Sequence, residues 1–504
     1  MMSLQPSPVL PLGLLPLSPE QAAEELLRRR QATRGTGSAS GTFTAKYRND
    51  PARFVRECIR FHKSPGPTVY QEEMLGRLPA EKRVSVRGPH GLGKTSLAAW
   101  VILWFALTRE VEGTDWKIPT TASAWRQLTK YLWPEVRKWA RRLNWEGMGL
   151  NIGPFNENTQ LLTLSLKLDN GEAFALASND ASAIEGAHAS SLLYIFDEAR
   201  AIPDDIWDGA EGAFASPEAS EALALAISTP GEPQGRFYDI HARKPGLSDW
   251  YARHVTLGEA IAAGRISQEW ADQRKLQWGE DSAVYQNRVL GEFATSGDEG
   301  VIPLSWVERA NQRWLEWADN GRKTEGEMTS VGVDVARSGE DKTVFALRYG
   351  DVITELRRFG RADTMQTTGR VAAALNLGGV AIVDVIGVGA GVVDRLREMG
   401  KRVVPFNASA GTGHRDRSGE LGFADSRSAA WWNLREMLET EPLALPPDDR
   451  LIGDLTAPHW RVMSGGRIKV ESKDEIRKRL GRSTDDGDAV IQAFWRDKRR
   501  LYIG

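Results

Sequence analysis

The chain of 504 residues carries one cysteine, Cys58. A single thiol excludes an intramolecular disulfide and a multi-cysteine zinc site, and it suits a reducing cytosol. An excess of charge of one sign is also missing, since 65 Lys and Arg against 67 Asp and Glu leave a net charge of −2. That balance argues against a histone-like polycation. It does not exclude contact with nucleic acid, because basic charge is needed only where phosphate is touched. No apolar run is long enough to span a bilayer, and the opening MMSLQPSPVLPLGLLPL lacks a basic leader and is broken by prolines, which makes a poor signal peptide. The expected location is therefore the cytoplasm, with no membrane partner. No repeat recurs at solenoid spacing.

What is present reads as a soluble globular chain, 41% hydrophobic and 26% charged, and too long for one core. Residues 1–45 form an arm: a Pro/Leu stretch, then SPEQAAEELLRRRQA with Ser18 as N-cap and Pro19 at the first helical position, then a Gly/Ser/Thr-rich tether. Residues 46–296 alternate β-rich and helical runs, the pattern of a mainly parallel sheet covered by helices, with a Trp-rich helical lid at about 241–296. A linker is expected over 297–327. A second α/β pattern fills 328–504, opening with the meander SVGVDVA, DKTVFALRY and DVITELRRF. Two segments are locally basic: 124–142 has six Lys and Arg against Glu135, and 461–504 is net +5. Each reads equally as a solvated helix face or as a phosphate-contacting surface.

The first α/β region contains G-x-x-x-x-G-K-[ST] at every fixed position: Gly88, Pro89, His90, Gly91, Leu92, Gly93, Lys94 and Thr95, with Ser96 following. Glycines let backbone N–H groups curl around phosphates, the next helix adds its positive dipole end, Lys94 reaches the β- and γ-phosphates, and the Thr95 hydroxyl ligates magnesium. The apolar strand LLYIF then ends in Asp197 and Glu198. Behind a phosphate loop, Asp197 suits magnesium and Glu198 suits polarising a water for in-line attack; taken alone, the same acids would fit a helix start. Upstream, the Gln71 amide could read adenine. Ser228, Thr229 and Pro230 close a third strand and could sense the γ-phosphate. Oligomeric ATPases commonly take an arginine from a neighbour, for which Arg126, Arg137 and Arg142 are candidates, with Arg87 in the same subunit. The sequence does not choose among them.

The second region places carboxylates at strand and helix ends: Asp334 in the first strand of the meander, Asp384 closing a buried strand, and Asp488 opening the last helix with Asp485 one turn earlier. An ionised group ending an apolar strand is costly without a cation. Several converging carboxylates can hold two metal ions about 3.5–4 Å apart and cut a phosphodiester, and hard oxygen donors select Mg2+ or Mn2+. This is the order of carboxylates in an RNase H-like fold. Asp341 belongs to the turn GEDKT.

Together RGPHGLGKTS, LLYIFDEA, AISTP, GVDVARSGEDKT, AIVDVIGVG and RLGRSTDDGDAV resemble, in order, the motifs of the large terminase subunit of tailed double-stranded DNA phages. The resemblance implies an α/β chain with an N-terminal P-loop, ASCE-type ATPase and a C-terminal RNase H-like nuclease. It further implies ATP and Mg2+ in the first site and two Mg2+ or Mn2+ ions in the second, with Lys94, Asp197 and Glu198 as ATPase residues, Ser228 to Pro230 as coupling motif, and Asp334, Asp384 and Asp488 as metal ligands. Implied partners are double-stranded DNA, a portal protein, a small terminase subunit and further copies in a ring, commonly of five, in the host cytoplasm. The closing motif departs from the usual S-P-D: Thr484 replaces proline, and Asp485, Asp486 and Asp488 all compete for the metal. A helicase joined to a nuclease, or a packaging scaffold with an inactive nuclease, would share parts of this pattern.

Overall fold

The computed structural model describes residues 37–63, 66–150, 152–177, 184, 187–214, 219–294, 300–324, 326–336, 342–360, 363–463 and 466–495. The helix expected within the N-terminal arm and the turn holding Asp341 lie outside the described residues.

Helices α1 (Gly37–Tyr47), α2 (Pro51–Cys58) and α3 (Val69–Glu81) lead into a seven-stranded sheet. Its strands are β1 (Arg83–Arg87), β2 (Trp116–Ala122), β3 (Ser165–Lys167), β4 (Gly171–Leu176), β5 (Ser191–Asp197), β6 (Glu221–Ser228) and β7 (Tyr251–His254), ordered β3-β4-β2-β5-β6-β1-β7. Only the β3–β4 pair is antiparallel. All seven residues of β5 are buried, the continuous apolar run of a parallel strand covered on both faces. Helix α4 (Lys94–Glu112) follows β1 and is buried without a break from Leu97 to Glu110. It is apolar all round because it packs against the sheet on one side and against α1, α2 and α5 (Trp133–Ala140) on the other. Fully buried Trp100, Trp104 and Phe105 each contribute about 2–3 kcal/mol of apolar transfer. The insertion of β6 between β1 and β5 gives the expected ASCE-type P-loop arrangement.

The second sheet contains β8 (Ser330–Asp334), β9 (Thr343–Tyr349), β10 (Val352–Phe359), β11 (Val380–Asp384) and β12 (Val403–Phe406), ordered β10-β9-β8-β11-β12. The meander is antiparallel, and β8, β11 and β12 run parallel, which is the RNase H-like order. A small sheet adds β13 (Gly422–Phe423), β14 (Trp460–Val462) and β15 (Arg467–Val470), the last two antiparallel.

Helices Thr364–Ala374 and Gly389–Glu398 connect the strands, and four more follow them: α7 (Ser426–Thr440), α8 (Asp449–Thr456), α9 (Lys473–Leu480) and α10 (Asp485–Ala493); α6 (Leu304–Asp319) precedes the sheet. Val331, Val333, Ala381 and Val383 point to one face of the sheet, whereas Ile382, Val344 and Ala346 point to the other, onto α10. Gly332 permits that contact. A Cβ there would lie 2.0 Å from the Ala489 carbonyl oxygen and 2.4 Å from the Ala493 amide nitrogen.

Three expectations need correction. The Gly/Ser/Thr-rich end of the arm is not a tether: α1 runs over Gly37–Tyr47 and buries Phe43 and Tyr47 in the first core. The lid at 241–296 is not all helix: Tyr251–His254 is β7, the edge strand paired in parallel with β1. The stretch 297–327 is not merely a linker, because α6 occupies its middle and buries Leu304, Val307 and Ala310. These residues and the lid side chains Trp278, Val284 and Val289 join one apolar core with α7, α8 and α10. The lid therefore packs with the second half as much as with the first.

Candidate functional sites

The first site forms where β1 ends and α4 begins. Gly91 and Gly93 adopt φ of +85° and +75°, a left-handed turn that side chains resist. At Gly88 a Cβ would lie 2.7 Å from the Val255 carbonyl oxygen, so the backbone there is as close to β7 as it can come. Tyr70 Oη donates to the Leu92 carbonyl at 2.9 Å, and Gln71 Nε2 donates to Gly93 O at 3.1 Å. Gln71 Oε1 accepts from the Thr68 amide at 2.9 Å as part of the α3 capping box. One end of the amide expected to read adenine thus braces the loop in this structure, and the other caps α3. Ser96 Oγ donates to Glu135 on α5 at 2.6 Å.

Lys94 folds back onto its own loop, donating to Pro89 O at 2.7 Å, Gly88 O at 3.3 Å and Thr229 Oγ1 at 3.1 Å. Desolvation lowers its ammonium to about 8, against the opposing pull of Glu198 and Asp197. Asp197 ends β5, 3% exposed. Burial, then the neighbouring Glu198 charge, pushes its carboxyl up to about 7. Its Oδ1 accepts from the Glu198 amide at 3.0 Å, and its Oδ2 is enclosed without a hydrogen-bond partner. An enclosed, unsatisfied carboxylate oxygen beside a threonine-bearing phosphate loop fits a magnesium ligand. Glu198 sits at φ +49°, ψ +46°, a left-handed conformation costing about 1 kcal/mol or more in a non-glycine residue. Ser228 Oγ donates to Glu198 Oε2 at 3.3 Å, and the Pro230 carbonyl accepts from Arg200 at 3.2 Å. The segment Ser228 to Pro230 therefore touches Lys94, Glu198 and Arg200 together.

The three candidate arginines differ. Arg126 pairs with Asp319 at 2.7 Å and donates to Tyr131 Oη at 3.1 Å. Arg142 stacks over Trp139, and Arg137 is half-buried on α5. Arg87 is taken up by Gly291 O and Glu292 in the same chain.

The second site forms at the strand ends of the RNase H-like sheet. Asp334 and Asp384 close neighbouring parallel strands, one residue beyond the Val333–Val383 register pair. They share the parity of Gly332 and Ile382 and so face α10, at whose first turn Asp485 and Asp488 stand one turn apart. Lys473, the first residue of α9, bridges the cluster, 2.7 Å from Asp334 Oδ1 and 3.2 Å from Asp488 Oδ2. Burial, with added repulsion from Asp488 and Asp485, pushes Asp334 up to about 8 even though Lys473 opposes it. Asp488 also pairs with Arg427 and accepts from Thr484 Oγ1 at 3.0 Å, and its carboxyl is lowered by Arg427 and Lys473 against the cost of burial. Asp485 accepts from the Lys342 amide, and Asp384 Oδ1 accepts from the Ile386 amide at 3.0 Å.

Asp486 is separated from this group: it lies on another face of α10, in a bidentate pair with Arg358 at 2.8–3.0 Å. Among the described residues no three His, Cys, Asp or Glu side chains stand close enough to enclose an ion. The donors nevertheless fit Mg2+ or Mn2+ in kind, since Asp334, Asp384, Asp485 and Asp488 are all oxygen ligands at adjoining strand and helix ends, here turned toward basic or backbone partners. Arg427, Lys473 and Arg358 were not anticipated. Only the Ser472-to-Glu475 capping box that fixes Lys473 at a helix start was visible as a local signal.

The molecule is thus an ASCE-type P-loop domain joined to an RNase H-like domain. The chain resembles large terminase subunits: it is 26% identical over 321 residues to the "Probable terminase, large subunit" of Enterobacteria phage P7. That match covers 60% of this chain and 63% of the relative, so the chain spans less than two thirds of the relative's length. Similar solved structures include the large terminase from a thermophilic bacteriophage, at 12% identity and TM-score 0.39 over 85% of this chain and 98% of that one. Another is the nuclease domain of the large terminase subunit gp2 of bacterial virus Sf6, at 20% identity and TM-score 0.34 over 39% of this chain and 99% of that one. No family model matches the chain. Among the described residues no helix is long and apolar enough to cross a membrane.

Proposed function

We propose that the chain is the motor and nuclease subunit of a phage DNA-packaging machine, hydrolysing ATP to drive double-stranded DNA through a portal into a procapsid and cutting concatemeric DNA. The observation that carries this reading is the contact of Ser228 to Pro230 with Lys94, Glu198 and Arg200, together with the placement of Asp334 beside Asp384 over the start of α10. In the first site Lys94 would meet the β- and γ-phosphates once released from its loop carbonyls, Thr95 and Asp197 would hold magnesium, and Glu198 would orient the attacking water. Ser228 lies beside Glu198, 3.3 Å from its Oε2, where it would help to orient that carboxylate. In the second site Asp334, Asp384 and Asp488, with Asp485 beside them, would hold Mg2+ or Mn2+, which supplies water activation and leaving-group stabilisation when bound. Lys473 and Arg427 balance the carboxylate charge. The basic helix surface at 124–142 suits a grip on phosphate without reading bases.

The same reading makes a small terminase subunit, a portal protein and a ring of copies, commonly five, the partners in the host cytoplasm. The decisive experiment separates the two sites. Lys94→Ala is expected to abolish ATP hydrolysis and packaging while leaving metal-dependent DNA cleavage, and Asp334→Asn to do the reverse. Loss of cleavage in a folded Lys94→Ala protein would refute separate sites. Undiminished cleavage by Asp334→Asn would remove Asp334 from the nuclease.

A further inference from the structure

A cavity of about 550 Å³ opens beside the phosphate loop, with His90, Glu198, Arg200, Arg288, Glu308 and Arg309 on its walls. It lies between the β5 turn and α6. Arg200 follows Glu198 by two residues, and the left-handed conformation of Glu198 turns the chain back toward the end of β6. There Arg200 donates to Pro230 O, and its other terminal nitrogen lies 3.1 Å from Glu308 Oε2 on α6. Glu308 is shared: its Oε1 is 3.4 Å from Arg288 Nη2. Arg288 in turn pairs with Asp449 at the start of α8 at 3.2 Å, and its carbonyl accepts from the His90 amide of the phosphate loop at 3.0 Å. One carboxylate thus serves two guanidinium groups, between the nucleotide loop and the elements that pack with the nuclease.

We propose that Arg200 is a nucleotide-reading residue that exchanges Glu308 for the γ-phosphate of a bound nucleoside triphosphate, loosening α6 when triphosphate is present and holding it when diphosphate is present. The proposal rests on the reading of the phosphate loop as a triphosphate site. Three features support it. Arg200 shares the cavity wall with Glu198, the residue placed to direct water at the γ-phosphate. A guanidinium fork matches phosphate at least as well as carboxylate, and a phosphate of higher charge competes for it. Glu308 does not lose its only partner in the exchange, because Arg288 remains, so the cost of releasing Arg200 is small compared with stranding a buried carboxylate.

The test uses the full chain with two probes, fluorescent ADP and a fluorescent non-hydrolysable ATP analogue, and hydrogen exchange of the α6 amides. Wild type should lose protection in α6 with the analogue but not with ADP. Arg200→Gln should lower the analogue-to-ADP affinity ratio by about ten-fold, the scale of one charge-assisted contact, and should abolish the nucleotide difference in α6 exchange. Arg200→Lys should restore part of the ratio. Glu308→Gln, which keeps the shape of the site, should raise the ratio by freeing Arg200. If Arg200→Gln and Glu308→Gln change both affinities equally, or neither, Arg200 is a structural clamp and the proposal fails. If wild type binds neither probe, the triphosphate reading of the loop fails first and takes this one with it.

Discussion

In the first half, Lys94 directs its donors to two backbone carbonyls and a threonine hydroxyl, whereas in the second half Lys473 is held between the carboxylates of Asp334 and Asp488. The former is a half-buried cation whose hydrogen-bond acceptors are neutral dipoles, and desolvation leaves its proton loose, near 8, against the pull of Glu198 and Asp197. The latter is a cation held between two carboxyl groups, its own proton kept well above the usual lysine range by Asp334 and Asp488 despite burial. One site awaits a polyanion to complete its electrostatics. The other has a lysine already seated among its carboxyl groups, which a divalent ion, in the reading proposed above, would have to displace.

The sharpest way to break this contrast is to remove the defining charge from each side. Lys94→Ala should lower ATP turnover by about 10³-fold or more, the scale of losing a preorganised charge at a transition state, with DNA cleavage retained; phosphate release and plasmid nicking measure the two. Asp334→Asn should lower cleavage by about 10²- to 10³-fold and spare ATP turnover, because its partners are all in the second half.

Next in size is Asp454, fully buried, paired with Arg482 and accepting from the Asp486 and Gly487 amides at the start of α10. Asp454→Ala would leave Arg482 and that helix end uncompensated, a loss of about 3–5 kcal/mol for breaking a buried pair. Urea unfolding followed by nuclease assay should show destabilisation and impaired cleavage together. Equal stability would show that the second half does not depend on internal charge balance.

The pH dependence should run in opposite directions at the two sites. Lys94 is charged below about 8 and loses its proton above it, so nucleotide affinity should fall as pH rises from 7 to 9, by up to about ten-fold. Asp334 is protonated below about 8, so Mn2+ affinity should rise over the same interval as the proton it must shed is lost. Titration calorimetry at several pH values reads both. Parallel slopes would contradict the contrast. Smallest is Arg126→Ala: its partner Asp319 is exposed, so Tm should move by less than about 3 °C. A large fall in ATP turnover with unchanged Tm would single out Arg126 as the arginine acting on a neighbouring subunit.

Strand ends were the most legible part of this chain. Buried parallel strands are continuous apolar runs, so an acid that stops one, as Asp197, Asp334 and Asp384 do, stands out in the primary structure. The four-residue strand Tyr251–His254 was hidden because it is half-exposed along its length and only two residues before a helix at Leu257–Ala262. The partners of the carboxylates were hidden for a different reason: Lys473 lies 139 residues from Asp334, Arg427 lies 61 from Asp488 and Arg358 lies 128 from Asp486, and no local pattern encodes such pairings. The separation of Asp486 from the other two acids of the closing motif was available from helical periodicity alone. Asp485 and Asp488 are three apart and share a face; Asp486 is turned about 100° from its neighbour. The membership of lid and α6 side chains in the second core depended on packing over long range, which composition does not reveal.

Gly332 sets a tolerance for the whole second site. With the α10 backbone resting directly on β8, a single added methyl would have to lift the helix, and the helix carries Asp485 and Asp488 on the same rigid rod. The spacing between the strand carboxylates and the helix carboxylates is therefore gauged by bare main chain, like a machinist's shim of zero thickness. Saturation mutagenesis scored for DNA cleavage should find this position intolerant even of alanine, although it bears no functional group of its own.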